Sequence, residues 1–373
     1  MPLTLDLLAT IQSRAAGYDR ENRFFTEDLD DLRAAGYLAP RSLLDTARDQ
    51  RLLAAHAPAT ALGINMHHVW VGVARVLHDR GDTSLDWVLR DAEQGELFAF
   101  GNSEAGNDLV LWDSLTTAEP VDGGFAFTGT KIFTSLAPAW TRLGVFGKQA
   151  EGPDGPRLVH GFLTRDSAGA SVEGVETLDD WDTLGMRATS SNTTKLDHAV
   201  VPDALISRFL PVGPNADPFV FAIFANFLLL IGSVYAGIAD RALELGVEAV
   251  KKRTSLKTGT TYDQDPDIRW RLADAALALD ALRPDLETLA SDVDGVANHG
   301  ADWFRMLTGA KHRATETARY VVDQAMRVAG GGGYRSTSEL ARLQRDVLAG
   351  IYHPSDTESV HNTVATNLLG PIA

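Results

Sequence analysis

Between Phe98 and about Pro211 the chain changes texture, and that change constrains its architecture more than any other feature. Short apolar runs with period-two alternation follow one another, as in Gly124-Phe125-Ala126-Phe127-Thr128-Gly129, Arg142-Leu143-Gly144-Val145-Phe146 and Leu158-Val159-His160-Gly161-Phe162-Leu163. Gly and Asp punctuate them, which is the pattern of a compact β barrel or sandwich. On both sides the period is helical. Leu7, Ile11, Ala15 and Tyr18 share one face, and residues 48–79 are alanine-rich with apolar positions around most of the circumference, as in a helix buried among others. Beyond Pro211, Pro214 and Pro218 the spacing predicts long helices at about 219–255, 265–298, 300–329 and 337–369, interrupted chiefly at Gly330–Gly333. Four long helices with short connections make an antiparallel bundle. The expected fold is therefore mainly α with a central β domain: a helical domain over 1–97, a β domain over 98–213 and a four-helix bundle over 214–373.

Charge and composition narrow the function. A net charge of -16 repels nucleic acid phosphates and anionic lipid, so neither partner is expected. The chain has no cysteine, which excludes disulfides, thiolate zinc sites and a cysteine nucleophile. His67 and His68 are adjacent on a predicted helix, roughly 100° apart, and do not form a metal pair, so no metal is expected. The apolar run from Phe219 to Ala239 is long enough to mimic a membrane span. It is broken by Asn226 and followed by Asp240 and Arg241, and reads as a buried helix. The chain begins without the basic segment and apolar core of a signal peptide, and a cytoplasmic location is expected.

Five segments combine glycines, hydroxyls and basic residues in patterns that can serve a cofactor. They are Gly101-Asn102-Ser103-Glu104-Ala105-Gly106-Asn107-Asp108; Gly129-Thr130-Lys131-Ile132-Phe133-Thr134-Ser135; Trp181-Asp182-Thr183-Leu184-Gly185-Met186-Arg187-Ala188-Thr189 with Val200-Val201-Pro202; Lys251-Lys252-Arg253; and Ala329 through Tyr334 with Leu343-Gln344-Arg345-Asp346. In order and interval they resemble the motifs of the acyl-CoA dehydrogenase superfamily from residue 100 onward. The resemblance implies an FAD flavoprotein whose substrate is a small molecule, an acyl-CoA thioester. It also implies a homodimer or homotetramer, since the glycine loop usually serves the cofactor of the neighbouring subunit, and an electron acceptor or flavin reductase as partner.

Residue by residue, the resemblance puts Ser103 at the flavin pyrimidine, where aimed donors stabilise negative charge, Phe133 on the flavin and Ser135 near N5 or O4. Arg187 becomes the substrate contact, with Asn226 a second candidate. Arg253 reaches a pyrophosphate, as a guanidinium is suited to do, although basic residues at a helix end also follow from the dipole. Arg327 stands where the family has a glutamine. Gly330, Gly331 and Gly333 let backbone N–H groups approach phosphate or ribose.

The chain departs from this pattern at the base. Dehydrogenation beside a thioester needs a carboxylate that removes the α proton while a hydride leaves for flavin N5. The family's Glu-Gly-Thr is absent from Ile351-Tyr352-His353-Pro354-Ser355-Asp356-Thr357-Glu358, and the alternative position, counted back from Gly237, falls on Phe227. Three readings follow. One is an acyl-CoA dehydrogenase-like enzyme with His353, Asp356 or Glu358 as an unusual base. A second is a reduced-flavin, oxygen-dependent monooxygenase of the same superfamily, because His353, eight residues after Arg345, together with His67 and Ser135, resembles the polar site residues of those enzymes. A third is a non-catalytic homologue.

Overall fold

Proline placement explains where the helices begin and stop, and so where the chain can turn toward a site. The computed structural model describes residues 2–109 and 111–372; Met1, Val110 and Ala373 lie outside the described residues. The first helical layer is α1 (Leu5–Glu21), α2 (Thr26–Ala34), α3 (Leu43–His56), α4 (Pro58–His78) and α5 (Asp86–Glu93). Helix α1 buries Ile11, Ala15 and Tyr18 as the spacing predicts, with Leu8 buried and Leu7 only partly so, and the Thr4 hydroxyl accepts the Leu7 N–H to cap it. The alanine-rich stretch is two helices rather than one. Pro58 pushes Ala57 out of the helical region, to φ -145° and ψ 84°, and then opens α4 at its first turn.

The central layer is one curled sheet of β1 (Phe98–Gly101), β2 (Thr117–Val121), β3 (Gly124–Lys131), β4 (Arg142–Gln149), β5 (Arg157–Thr164), β6 (Val175–Thr177), β7 (Thr194–Pro202) and β8 (Ile206–Pro211). The strand order is β6-β7-β3-β2-β4-β5-β8, with β1 parallel to the first half of β4. Helix α4 lies against this sheet through Trp70. The indole N–H donates to Ala99 O over 2.9 Å, and a Cβ at Gly144 would meet the indole at 2.3 Å. Glycine at 144 is thus the condition for helix and sheet to touch.

The last layer is α6 (Pro218–Lys252), α7 (Pro266–Asp280), α8 (Leu282–Asp294), α9 (Asp302–Ala329), α10 (Glu339–Asp346) and α11 (Thr357–Leu369). Two expected long helices are broken. The ring of Pro284 cannot coexist with a helical carbonyl four residues earlier, so the chain stops α7 at Asp280 and restarts as α8. Between α10 and α11 the chain tightens to a 3-10 turn over Val347–Ile351 and opens at Tyr352–Asp356 around Pro354; Asp356 then accepts the Ser359 N–H and caps α11. Helix α6 is long and apolar enough to cross a membrane by length and composition, and 83% of its most apolar window is buried against the rest of the chain. Among the described residues no group of three or more His, Asp or Glu side chains is placed to hold a metal ion.

Candidate active site

The three layers meet around a cavity of about 460 Å³, within the usual range for small-molecule sites. Helix α4 contributes Leu62 and Met66, one turn apart. The loop after β1 brings Ser103, the segment after β3 brings Phe133 and Ser135, and the loop before β7 brings Trp181, Met186, Thr189 and Ser191. Helix α6 adds Phe227, α10 ends in Arg345, and the opened segment supplies Leu348 through Pro354, including His353. No carboxylate lines this cavity among the described residues.

A buried ion pair fixes the hydroxyl side of the site. The Lys131 ammonium donates to Glu104 Oε1 and to Phe146 O, each over 2.7 Å, with both charged side chains essentially sealed from water. Glu104 also accepts from the Asn107 amide, the Ser114 and Thr116 hydroxyls and the Leu115 and Thr116 N–H groups. Burial opposes its charge, but the ammonium and these donors outweigh burial and hold the carboxyl below its usual range. Glu104 is therefore no base, although its neighbour Ser103 faces the cavity. What the pair does is hold the loop to the end of β3, where Ile132 N–H donates to Ser103 O over 2.9 Å.

Ser135, Ser191 and Thr189 form a row of hydroxyls, with Oγ–Oγ separations of 2.7 Å and 2.7 Å. Thr189 Oγ1 donates to Met186 O over 3.0 Å. Its single proton being spent there, Ser191 donates to Thr189 and Ser135 donates to Ser191, and Ser135 turns lone pairs to the cavity. Thr134 Oγ1 and both amide atoms of Asn102, neighbours of Ser135 and Ser103, are buried without partners.

His353 faces the cavity from the opposite side. Its Nε2 lies 3.0 Å from the Tyr235 hydroxyl, and burial together with the Lys311 charge holds its pKa down at about 3, so the ring is neutral. Lys311, on α9 and buried, donates to Gly350 O, His353 O and Ser355 O over 3.1, 2.8 and 2.9 Å. One ammonium thus ties down the whole segment that carries His353.

Arg345 and Asp346 clamp the opposite loop. Arg345 pairs with both oxygens of Asp19 and donates to Leu184 O, while Asp346 accepts the Met186 N–H over 2.6 Å. A Cβ on Gly185 would meet Arg345 O at 2.3 Å. Gly185→Ala is expected to force these backbones apart and to cost about 1–3 kcal/mol, read as a lowered urea midpoint; an unchanged midpoint would show that the clamp is looser than drawn.

Several expected site residues lie elsewhere. His67 is fully buried with both nitrogens engaged, Nε2 to Leu38 O at 2.8 Å and Nδ1 to Phe98 N–H at 3.3 Å. Its helical neighbour Met66 faces the cavity instead. Asn226 is turned toward Gly72 on α4 and donates to Ala222 O, and the adjacent Phe227 lines the site. Arg187 is spent on Asp19 O, Asp182 and Thr183 O. Asp356 caps α11 and Glu358 is exposed on its first turn; neither lines the cavity.

Arg253, Arg327, Gly330, Gly331 and Gly333 gather at the end of α9, outside the cavity. Arg253 donates to Val328 O and Ala329 O and stacks on Tyr262, and Arg327 pairs with Asp323. Gly330 takes φ +63° to turn the chain there. Ser103, Phe133, Ser135 and His353 are the expected residues that the fold brings together. Thr189, Ser191, Tyr235 and Lys311 complete the site. Thr189 ends a motif already recognised, whereas Lys311 carries no local signal.

The buried titratable groups give an acid-stability prediction. Chiefly through burial, His67 is held down at about 4, His160 and His353 at about 3, and His68 well below its usual value. Burial raises Asp28 and Asp346 to about 6. Near pH 5 the unfolded chain binds four imidazole protons that the folded chain lacks, and the folded chain keeps two carboxyl protons that the unfolded chain has lost. The unfolded chain is ahead by about two protons. Stability therefore rises with pH there, by about 3 kcal/mol per unit, and less steeply above about pH 7, where the imidazoles are neutral in both states and the Lys131 and Lys311 ammoniums, lowered to about 8 by burial, take over. Urea unfolding at several pH values between 5 and 8 measures the slope, and a flat profile contradicts it.

Comparison with known proteins agrees with this geometry. A family model described as acyl-CoA dehydrogenase, C-terminal domain, matches residues 229–355. YdbM of Bacillus subtilis (strain 168), provisionally named an acyl-CoA dehydrogenase, is 27% identical over 95% of this chain and 92% of its own. Isobutylamine N-hydroxylase of Streptomyces viridifaciens is 27% identical over 86% of this chain and 82% of its own. In fold, the chain superposes on KijD3, solved in complex with FMN and dTDP-3-amino-2,3,6-trideoxy-4-keto-3-methyl-D-glucose, with a TM-score of 0.84 and 24% identity, covering 99% of this chain and 92% of that one. By its layered fold and its bundle the chain has the acyl-CoA dehydrogenase fold, and its residues 229–355 match that family's C-terminal domain.

Proposed function

We propose that this chain is a reduced-flavin, oxygen-dependent monooxygenase of its superfamily, working with FMN supplied by a separate reductase. The observation that carries the reading is the cavity without a carboxylate. Abstraction of a proton beside a thioester needs a base at the reacting atoms, and here Phe227 and His353 occupy the ground where one would stand. Among the described residues His353 is the one imidazole that lines the cavity, and in its neutral form it can donate a hydrogen bond or relay a proton. Acyl-CoA dehydrogenation, the first sequence reading, would find no carboxylate lining the cavity among the described residues, and of its candidate bases only His353, held neutral by burial, reaches it.

The residues present fit a flavin. Ser103, Ser135 and the Phe133 and Trp181 rings would hold its ring system, and Asn102 and Thr134 have unspent hydrogen-bonding groups beside them. The lone pairs of Ser135 suit the N5–H donor that only a reduced flavin carries. When bound, reduced flavin supplies the two electrons with which dioxygen is divided between hydroxylated product and water. FMN is preferred to the FAD of the sequence reading on the FMN of KijD3, and the expected pyrophosphate contacts Arg253 and Arg327 lie outside the cavity. The named activity of isobutylamine N-hydroxylase and the FMN of KijD3 support the same reading.

The test supplies reduced FMN from a reductase under ¹⁸O₂ with a panel of small substrates and looks for the label in product. The alternative is checked by mixing the flavin-loaded protein with acyl-CoA thioesters without oxygen. Bleaching of the flavin by a thioester, with no label incorporated in the first arm, would return the chain to the dehydrogenases.

A further inference from the structure

From the charge balance of the cavity we infer that the substrate is an uncharged, aromatic molecule bearing a single polar substituent. The inference rests on this cavity being the substrate site of the proposed monooxygenase. Much of the cavity lining is apolar, with Leu62, Met66, Phe100, Phe227, Ile351 and Pro354. The Phe100 and Phe227 rings stack with centroids 5.9 Å apart and planes 27° from parallel, which leaves aromatic faces and edges for a flat guest. Met66 adds a thioether, a soft partner for ring edges.

Charge has no partner here. Among the described residues no carboxylate reaches the cavity, so an ammonium would be buried unpaired. The cation that does reach it, Arg345, is neutralised by both oxygens of Asp19. The other nearby cation, Lys311, is spent on three carbonyls behind the His353 segment. A carboxylate on the substrate would therefore find no free countercharge. An unpaired charge moved from water into such a site loses far more than a neutral group of the same shape. His353, engaged from behind by Tyr235, remains as a polar contact, matched to a hydroxyl or a ring N–H. Superfamily relatives that act on amines or nucleotide sugars must solve a charge problem for which this cavity has no device.

The experiment uses three ligands with one ring system and three charges: 2-naphthylmethanol, 2-naphthylmethylamine and 2-naphthoate. Their dissociation constants for the FMN-loaded protein are measured by calorimetry at neutral pH. The alcohol is expected to bind at least about tenfold tighter than either ion, equivalent to about 1.4 kcal/mol. An ion that binds as tightly as the alcohol, or failure of the alcohol to bind, overturns the inference. Phe227→Asp, which restores a carboxylate to the wall, is expected to shift the amine-to-alcohol preference at least about tenfold toward the amine. A folded variant with the native preference would place binding outside this cavity and equally overturn it, and if the variant does not fold the native series decides alone. Binding is read without turnover, so the two proposals fail separately. Selection of the alcohol with no label incorporated from reduced FMN and ¹⁸O₂ removes the monooxygenase and keeps the substrate class. Labelling of the amine in preference to the alcohol does the reverse.

Discussion

Lys131→Met is expected to lower stability by about 3–5 kcal/mol, the usual cost of removing one partner from a buried ion pair. Nothing replaces the ammonium: both side chains are sealed from water, and the Glu104 carboxylate would keep its other donors but lose its countercharge. Phe146 O would lose a donor as well. The double variant Lys131→Met/Glu104→Gln should recover part of the loss, because the charge that was stranded is gone. Urea denaturation of the two single variants and the double variant gives the coupling. If the single variants together cost no more than the double, the pair is not the lock described above. Because the pair holds the loop carrying Ser103 to the strand that leads to Ser135, weakened flavin retention should accompany the stability loss.

His353→Ala is expected to lower oxygenated product about 100-fold, within the usual range for removal of a group that handles a proton in the transition state. The neutral ring carries one proton and one lone pair, and the Tyr235 hydroxyl engages one of its two nitrogens. Oxidation of reduced FMN should continue in the variant, since the hydroxyl side of the site is untouched. Oxygen would then leave as hydrogen peroxide, and the ratio of product to oxygen consumed should fall with it. A variant that keeps the native ratio would show that His353 only fills space. Tyr235→Phe tests the same point more gently, by removing the hydroxyl and keeping the ring.

How much of this was legible in the sequence depended on the kind of signal. The α, β, α order was readable because periods of 2 and 3.6 residues are local properties. Breaks inside the bundle were less so: Pro284 and Pro354 were visible, but the apolar spacing on either side continued through them. At the site, residues carried by motifs in irregular segments were found, as with Ser103, Ser135 and His353. Those on helices were missed by one position. His67 stands for Met66 and Asn226 for Phe227, because one residue is about 100° of rotation and a polar side chain attracts notice where the lining residue is apolar. Lys311 acts about 40 positions along the chain from the segment it holds, and Asp19 over 300 from Arg345, and no local pattern carries such pairings.

Helix α6 gives the cavity Phe227 and supports His353 through Tyr235, while its remaining faces serve α3, α4 and α9. A change at those two positions is therefore also a change in the core, and most such changes destabilise. The segments 181–186 and 348–354 line the same cavity from backbone outside the α-helices. Variation in what this chain accepts should accumulate in those two segments first, with α6 drifting slowly, so among its descendants the helix would record ancestry and the loops would record diet.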